Sequence, residues 1–291
     1  MAGVVVAGVD GSDHGREALR FALSEAALRG ARVTAVRAWS IPPLTTTGVG
    51  IMPAYQVVRD GLAEGTAAEL AQSVEEASSE ASVEVEVEVD VVQGDAAGAL
   101  VERSAGAALV VVGSRGRGSV AGPLLGSVSQ GVLHHAQCPV AVVHKAERAL
   151  GSRVVVGVDG SPGASGAIQW AFAEAKLRSV PVHAVSAYEE PWTLAAAGFS
   201  SAEIALEYRN ALAGDAGRVV EEVRAAAPEG VEVTGEVVLA SAGRALVDIA
   251  GDDLLVVGSR GRGGFKSLLL GSVSLHCAAN ARGVAVVVRE A

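Results

Sequence analysis

Short, unbroken apolar runs alternate along this chain with longer stretches in which apolar residues recur every three or four positions. Val4 to Val9, Ala31 to Ala38, Val110 to Gly113 and Val140 to His144 are runs of the first kind. Their length and valine content predict parallel strands covered on both faces. Helical patterns lie between them, at about His14 to Arg29, Tyr55 to Ala81, Ala96 to Ala105 and onward from Ser127. Ser12 is placed to cap the first helix. Val83 to Val91, VEVEVEVDV, instead alternates strictly. That gives it one wet face and predicts an edge strand, whose carboxylates solvate and protect the edge.

The whole series then repeats. Strand patterns recur at Val154 to Val158, Val180 to Ala187, Val231 to Leu239, Leu255 to Gly258 and Val284 to Val288, and helical patterns at Gly163 to Arg178, Ala202 to Ala227, Gly243 to Ala250 and from Ser272. Five strands with helices between them in each half predict a doubly wound parallel sheet. Gly61, Gly65, Gly214 and Gly217 weaken the two long helices. Ser40 to Pro53 and Tyr188 to Ser200 differ completely between the halves and read as loops over the carboxyl edge of each sheet, either flaps on a ligand or ordinary variable loops. The polar stretch Lys145 to Ser152 reads as a linker, so the expected domains are 1–146 and 152–291.

One stretch carries the candidate chemistry. Val110 to Ser129 reads VVVGSRGRGSVAGPLLGSVS, and a near copy, LVVGSRGRGGFKSLLLGSVS, runs from Leu255 to Ser274 at an offset of 258 − 113 = 145 residues. In each, a buried strand ends in a glycine-rich loop that leads to Gly-Ser at the head of a helix. Glycines permit positive φ and close approach of a ligand, and a helix start offers unpaired N–H groups and the positive end of its dipole. The combination suits phosphate. Ser127 and Ser272 fall at an N-cap or first-turn position, and Arg115, Arg117, Arg260 and Arg262 add cationic side chains to the loop.

Each copy reads G-x-x-G, nine residues, then G-S. This spacing resembles the nucleotide-binding signature of the universal stress protein family, in its ATP-binding branch, and the resemblance covers almost the whole chain. It implies an α/β fold of two tandem doubly wound five-stranded parallel-sheet domains, Rossmann-like and adenine nucleotide alpha-hydrolase-like, with strand order 3-2-1-4-5. It also implies a stress-response or regulatory protein that binds ATP, with magnesium left open, at one site per repeat, and a homodimer formed through the terminal strands. Carried over residue by residue, the binding positions are Gly8, Ala38, Gly113, Ser114, Arg115, Gly116, Arg117, Gly118, Ser119, Gly126, Ser127 and Val128. In the second half they are Gly157, Ala187, Gly258, Ser259, Arg260, Gly261, Arg262, Gly263, Gly264, Gly271, Ser272, Val273 and Ser274. Ala281-Arg282-Gly283-Val284 departs from the family pattern that Cys138-Pro139-Val140 keeps.

In that strand order, strands one and four are neighbours where the winding reverses, and ligands bind at such a point. Asp10 and Asp159, which end the first strands, then share a crevice with the glycine loops. A carboxylate repels phosphate, so each is expected to face ribose hydroxyls or an exocyclic amine at the other end of the nucleotide, with the turn itself held by Ser12.

Composition excludes several alternatives. A net charge of −10 and an aromatic content of 3% speak against a nucleic-acid groove, which needs a basic stripe and stacking platforms. Mean hydropathy of +0.37 is high, yet every apolar run falls well short of the roughly 20 residues of a spanning helix. MAGVVVAGVDG leads straight into a strand pattern without a basic leader, so a cytoplasmic location is expected. Cys138 and Cys277 have no shared register, since 138 + 145 is Gly283, and read as buried thiols with no metal-ligand spacing. No Gly-Lys pair makes a Walker loop, and no G-x-G-x-x-G follows the first strand. His14, His134, His135 and His183 form no catalytic set. A genuine ATP hydrolase, and a scaffold that dimerises without nucleotide, stand as the alternative readings.

Overall fold

The computed structural model describes residues 3–41, 52–116, 125–145, 151–189, 202–262 and 270–289. The expected flaps, most of the linker and the second part of each glycine loop lie outside these residues. The chain divides into two compact units, Met1–Glu147 and Arg148–Ala291. The first runs β1 (Val4–Gly8), α1 (Asp13–Arg29), β2 (Arg32–Trp39), α2 (Met52–Ala81), β3 (Val87–Gln93), α3 (Ala96–Arg103), β4 (Leu109–Gly113), α4 (Ser127–His135), β5 (Val140–Val143). The second runs β6 (Val154–Gly157), α5 (Pro162–Arg178), β7 (Val182–Tyr188), α6 (Ala202–Ala225), β8 (Val233–Leu239), α7 (Ala242–Ala250), β9 (Leu254–Gly258), α8 (Ser272–Asn280), β10 (Val284–Val288).

In the first unit the strands are parallel in the order β3-β2-β1-β4-β5. In the second the order is β8-β7-β6-β9-β10, again parallel. Both are the doubly wound order that the resemblance implies. The direction of winding reverses between β1 and β4, and between β6 and β9. Right-handed crossovers then put α1 and α2 on one face of the first sheet and α3 and α4 on the other, consistent with the packing of α1 beside α2 and of α3 beside α4.

Local chemistry explains the element ends. Ser12, extended at φ −79° and ψ 167°, caps α1 by accepting the Gly15 amide at 3.1 Å. Gly30 ends the helix in the left-handed conformation at φ 59°, where a side chain is strained. Ser161 caps α5 through the Ala164 amide at 3.3 Å. The valine runs form the core: Val5, Ala7, Val110, Val111, Val154, Val155, Leu255 and Val256 are fully buried, joined by Leu19 and Leu23 of α1.

The edge strand begins later than its alternation predicts. β3 starts at Val87, opposite Val33, near the start of β2 at Arg32. Residues 83–86 carry the alternation up to the point where pairing begins, with the Glu86 carbonyl accepting the Val33 amide at 2.9 Å. None of the described helices is long and apolar enough to cross a membrane.

Leu19→Ala is expected to lower unfolding stability by about 2–5 kcal/mol, whereas Leu28→Ala, at a residue 41% exposed, should change it by less than about 0.5 kcal/mol. Urea unfolding checks the contrast. Burial pushes the Cys138 thiol up to about 11 and the Cys277 thiol up to about 12. Both should therefore resist iodoacetamide at pH 8 in the native protein and react fully in urea. Since folding favours the protonated thiols, their contribution is complete below the unfolded thiol pKa of about 8.5. Stability should then fall as pH rises toward those two folded values, which a pH series of denaturation midpoints tests.

Candidate functional site

At the end of β1 the chain turns on Asp10. Its Oδ1 accepts the Ser12 amide at 2.9 Å and the Ser12 hydroxyl at 2.6 Å. The Asp159 Oδ1 likewise accepts the Ser161 amide at 2.9 Å. The sequence reading left this turn to the serine; the structure shows the aspartate sharing it, because a short carboxylate naturally bonds the backbone two residues on.

The other oxygen reaches the neighbouring strand end. Asp159 Oδ2 accepts the backbone amide of Arg262 at 2.9 Å. A Cβ at Gly261 would stand 2.5 Å from that oxygen, and a Cβ at Gly116 would stand 2.6 Å from Asp10 Oδ2. Real Cβ atoms do not approach so closely, so the carboxylate occupies the space that a side chain on the loop would need. Aspartate and glycine loop are thus in contact; the sequence reading had placed them at opposite ends of a ligand.

The loops are anchored identically. A Cβ at Gly113 would meet the His14 carbonyl oxygen at 2.7 Å, so β4 can end against the backbone of α1 only with glycine there. The Ser114 amide donates to the Val143 carbonyl at 2.8 Å, the Gly126 amide to the Ser114 carbonyl at 2.9 Å, and the Ser129 hydroxyl to the Gly113 carbonyl at 2.6 Å. In the second half Ser259 donates to Val288 at 2.7 Å, Gly271 to Ser259 at 2.7 Å, and the Ser274 hydroxyl to Gly258 at 2.6 Å.

These bonds set the starts of α4 and α8 beside the loops. The N-cap residues are Gly126 and Gly271, both extended, and no side chain caps either helix. Ser127 and Ser272 are the first helical residues. α1 and α5 carry their own serine caps, while α4 and α8 present an uncapped first turn and the positive end of the dipole to the crevice.

Each crevice is a cavity. The first, of about 550 Å³, is lined by Gly8, Asp10, Ala38, Gly113, Arg115, Gly116, Gly126, Ser127 and Val128 of the expected set. The second, of about 600 Å³, is lined by Gly157, Asp159, Ala187, Gly258, Arg260, Gly261, Arg262, Gly271, Ser272, Val273 and Ser274. Ser114 and Ser259 lie beneath the surface, 1% and 3% exposed, and the Ser114 hydroxyl makes no hydrogen bond. Arg117, Gly118, Ser119, Gly263 and Gly264 lie outside the described residues. Sequence reasoning missed the apolar walls, Val36 and Leu100 in the first half and Val185, Leu246, Leu212, Ala216 and Val219 in the second, together with the Asp215 carboxylate of α6. It also missed Ser129. The signal was available for Ser129, whose counterpart Ser274 was singled out.

The universal stress protein family model matches residues 1–144 and again 152–289. The chain belongs to the universal stress protein family. A universal stress protein of Mycobacterium tuberculosis is 35% identical over 306 residues, covering 98% of this chain and 96% of that protein. One from Mycolicibacterium smegmatis is 33% identical over 291 residues, with the same coverage of 98% and 96%. The crystal structure of a universal stress protein from Archaeoglobus fulgidus superposes with a TM-score of 0.65 over 100% of this chain and 97% of that one, at 23% identity, a likeness of fold.

Removing the carboxylate in Asp159→Ala should free the Arg262 amide. A hydrogen bond to a charged group contributes about 1.5–3 kcal/mol, so exchange of that amide with deuterium is expected to quicken at least about tenfold, with β9 unaffected.

Proposed function

We propose that each half binds one adenine nucleotide, ATP foremost, and that the protein acts as a nucleotide-dependent regulatory protein of the stress response. One observation supports this above all: an uncapped helix start, a glycine loop and a small-residue apolar floor meet in a single cavity, and do so twice. The volumes fall within the few hundred to 1,000 Å³ of small-molecule sites. The cradle fits phosphate because it is lined by backbone and glycine, with Arg115 at its edge in the first half and Arg260 and Arg262 in the second. The base and ribose then lie over Gly8 and Ala38, or Gly157 and Ala187, with the aspartates as hydrogen-bond acceptors. A magnesium ion accompanying the phosphates belongs to the same proposal.

Hydrolysis is slow at most on this reading. Phosphoryl transfer needs a group that orients the attacking nucleophile, and no histidine is among the described residues lining either cavity. Asp10 and Asp159 are committed to backbone amides or hydroxyls.

Calorimetric titration of the full chain with ATP is expected to give two equivalents bound. Arg115→Ala should weaken binding in a salt-dependent manner. Asp10→Ala should cost ATP about 1.5–3 kcal/mol and inorganic triphosphate less; equal losses would confine Asp10 to holding the loop. No heat with ATP at either site would overturn the nucleotide reading in favour of a scaffold.

A further inference from the structure

We propose that the two sites are graded, the second half binding nucleoside triphosphate more tightly because α6 adds a wall to its cavity and Arg289 adds charge beside Arg260, which lines it. The inference rests on the nucleotide reading and deepens it. Leu212, Asp215, Ala216 and Val219 of α6 line the second cavity, with Tyr188 at the end of β7. Among the described residues, α2 contributes nothing to the first.

The cause lies in how the two long helices pack. α2 leans on α1 as well as on β2 and β3, and Arg20 of α1 pairs with Glu80 of α2. In the register set by Gly8 and Gly157, an offset of 157 − 8 = 149, Arg20 corresponds to the neutral Gln169. α6 packs on β7 and β8. A Cβ at Gly160 would stand 2.9 Å from Arg262 Nη2 and 3.0 Å from Val219 Cγ2. Guanidinium and helix therefore meet over that turn.

Asp215 lines the same cavity as Ala187 and Tyr188, and its carboxylate can accept from the ribose hydroxyls or exocyclic amine of a bound nucleotide. Its present pairing with Arg218 is exposed, of the kind that contributes little. Beside the start of each glycine loop, the strand pairings Gly113↔Val143 and Gly258↔Val288 put His144 and Arg289 in corresponding positions. Burial and the neighbouring Arg260 charge hold the Arg289 guanidinium below its ordinary value. A bound polyphosphate relieves that repulsion, and the first half has no permanent cation at this position.

Titration of the full chain with ATP and magnesium should resolve two phases separated by about tenfold or more, the ratio expected of one added charged hydrogen bond. Ala216→Phe, which fills the second cavity, should abolish the tight phase; Ala96→Phe, which fills the first, should abolish the weak one. Because Ala216→Phe can disturb α6 itself, Asp215→Ala at an exposed side chain gives an independent reading: the tight phase weakens about tenfold and the weak phase does not move. Two indistinguishable phases, or loss of the tight phase in Ala96→Phe alone, overturn the grading while leaving nucleotide binding intact. No binding in either half overturns both.

Discussion

A carboxylate set between its own turn and a glycine loop governs the geometry of each half; in the second it gathers backbone amides from both, and in the first it fills the space beside Gly116. Asp159 holds Ser161 two residues ahead and Arg262 at a separation of 103 residues. A glycine-rich loop has little of its own to order it, since glycine gives up more conformational freedom on folding than any other residue. The aspartate supplies that order and in doing so fills the volume in which a loop side chain would stand. The need for glycine and the need for aspartate are therefore one constraint seen from two strands. Ser259 and Ser274 complete the clamp from the β10 and α8 sides.

What periodicity could reveal, it revealed well. Strand count, parallel order and the placing of the glycine loops at the reversal of winding were all legible, because each depends on local pattern or on the family spacing. The start of β3 was not, since it depends on where β2 begins. The dual use of Asp10 and Asp159 was hidden for a different reason: a turn-forming and a ligand-facing aspartate are the same letter, and only the positions of both oxygens separate them. The helix starts at Ser127 and Ser272 were legible too, because the Gly-Ser pair marks the change from loop to helix. Least legible was the α6 wall, a product of tertiary leaning that no window of sequence contains.

The repeat is strict where backbone does the work and loose where side chains do. Gly113 and Gly258, Gly116 and Gly261, Ser129 and Ser274 make the same contacts in both halves. Arg20 against Gln169 and His144 against Arg289 differ in charge. A duplicated frame held by main-chain bonds tolerates such divergence, because exchanging a surface cation for a neutral residue leaves the clamp untouched and alters only what surrounds it.

The acidic run along β3 bears on how separate molecules meet. Glu84, Glu86 and Glu88 approach or lie on the outermost strand of the first sheet, whose far side carries unpaired main-chain groups. Two copies meeting there would bring like charges together, a barrier to sheet growth across that edge.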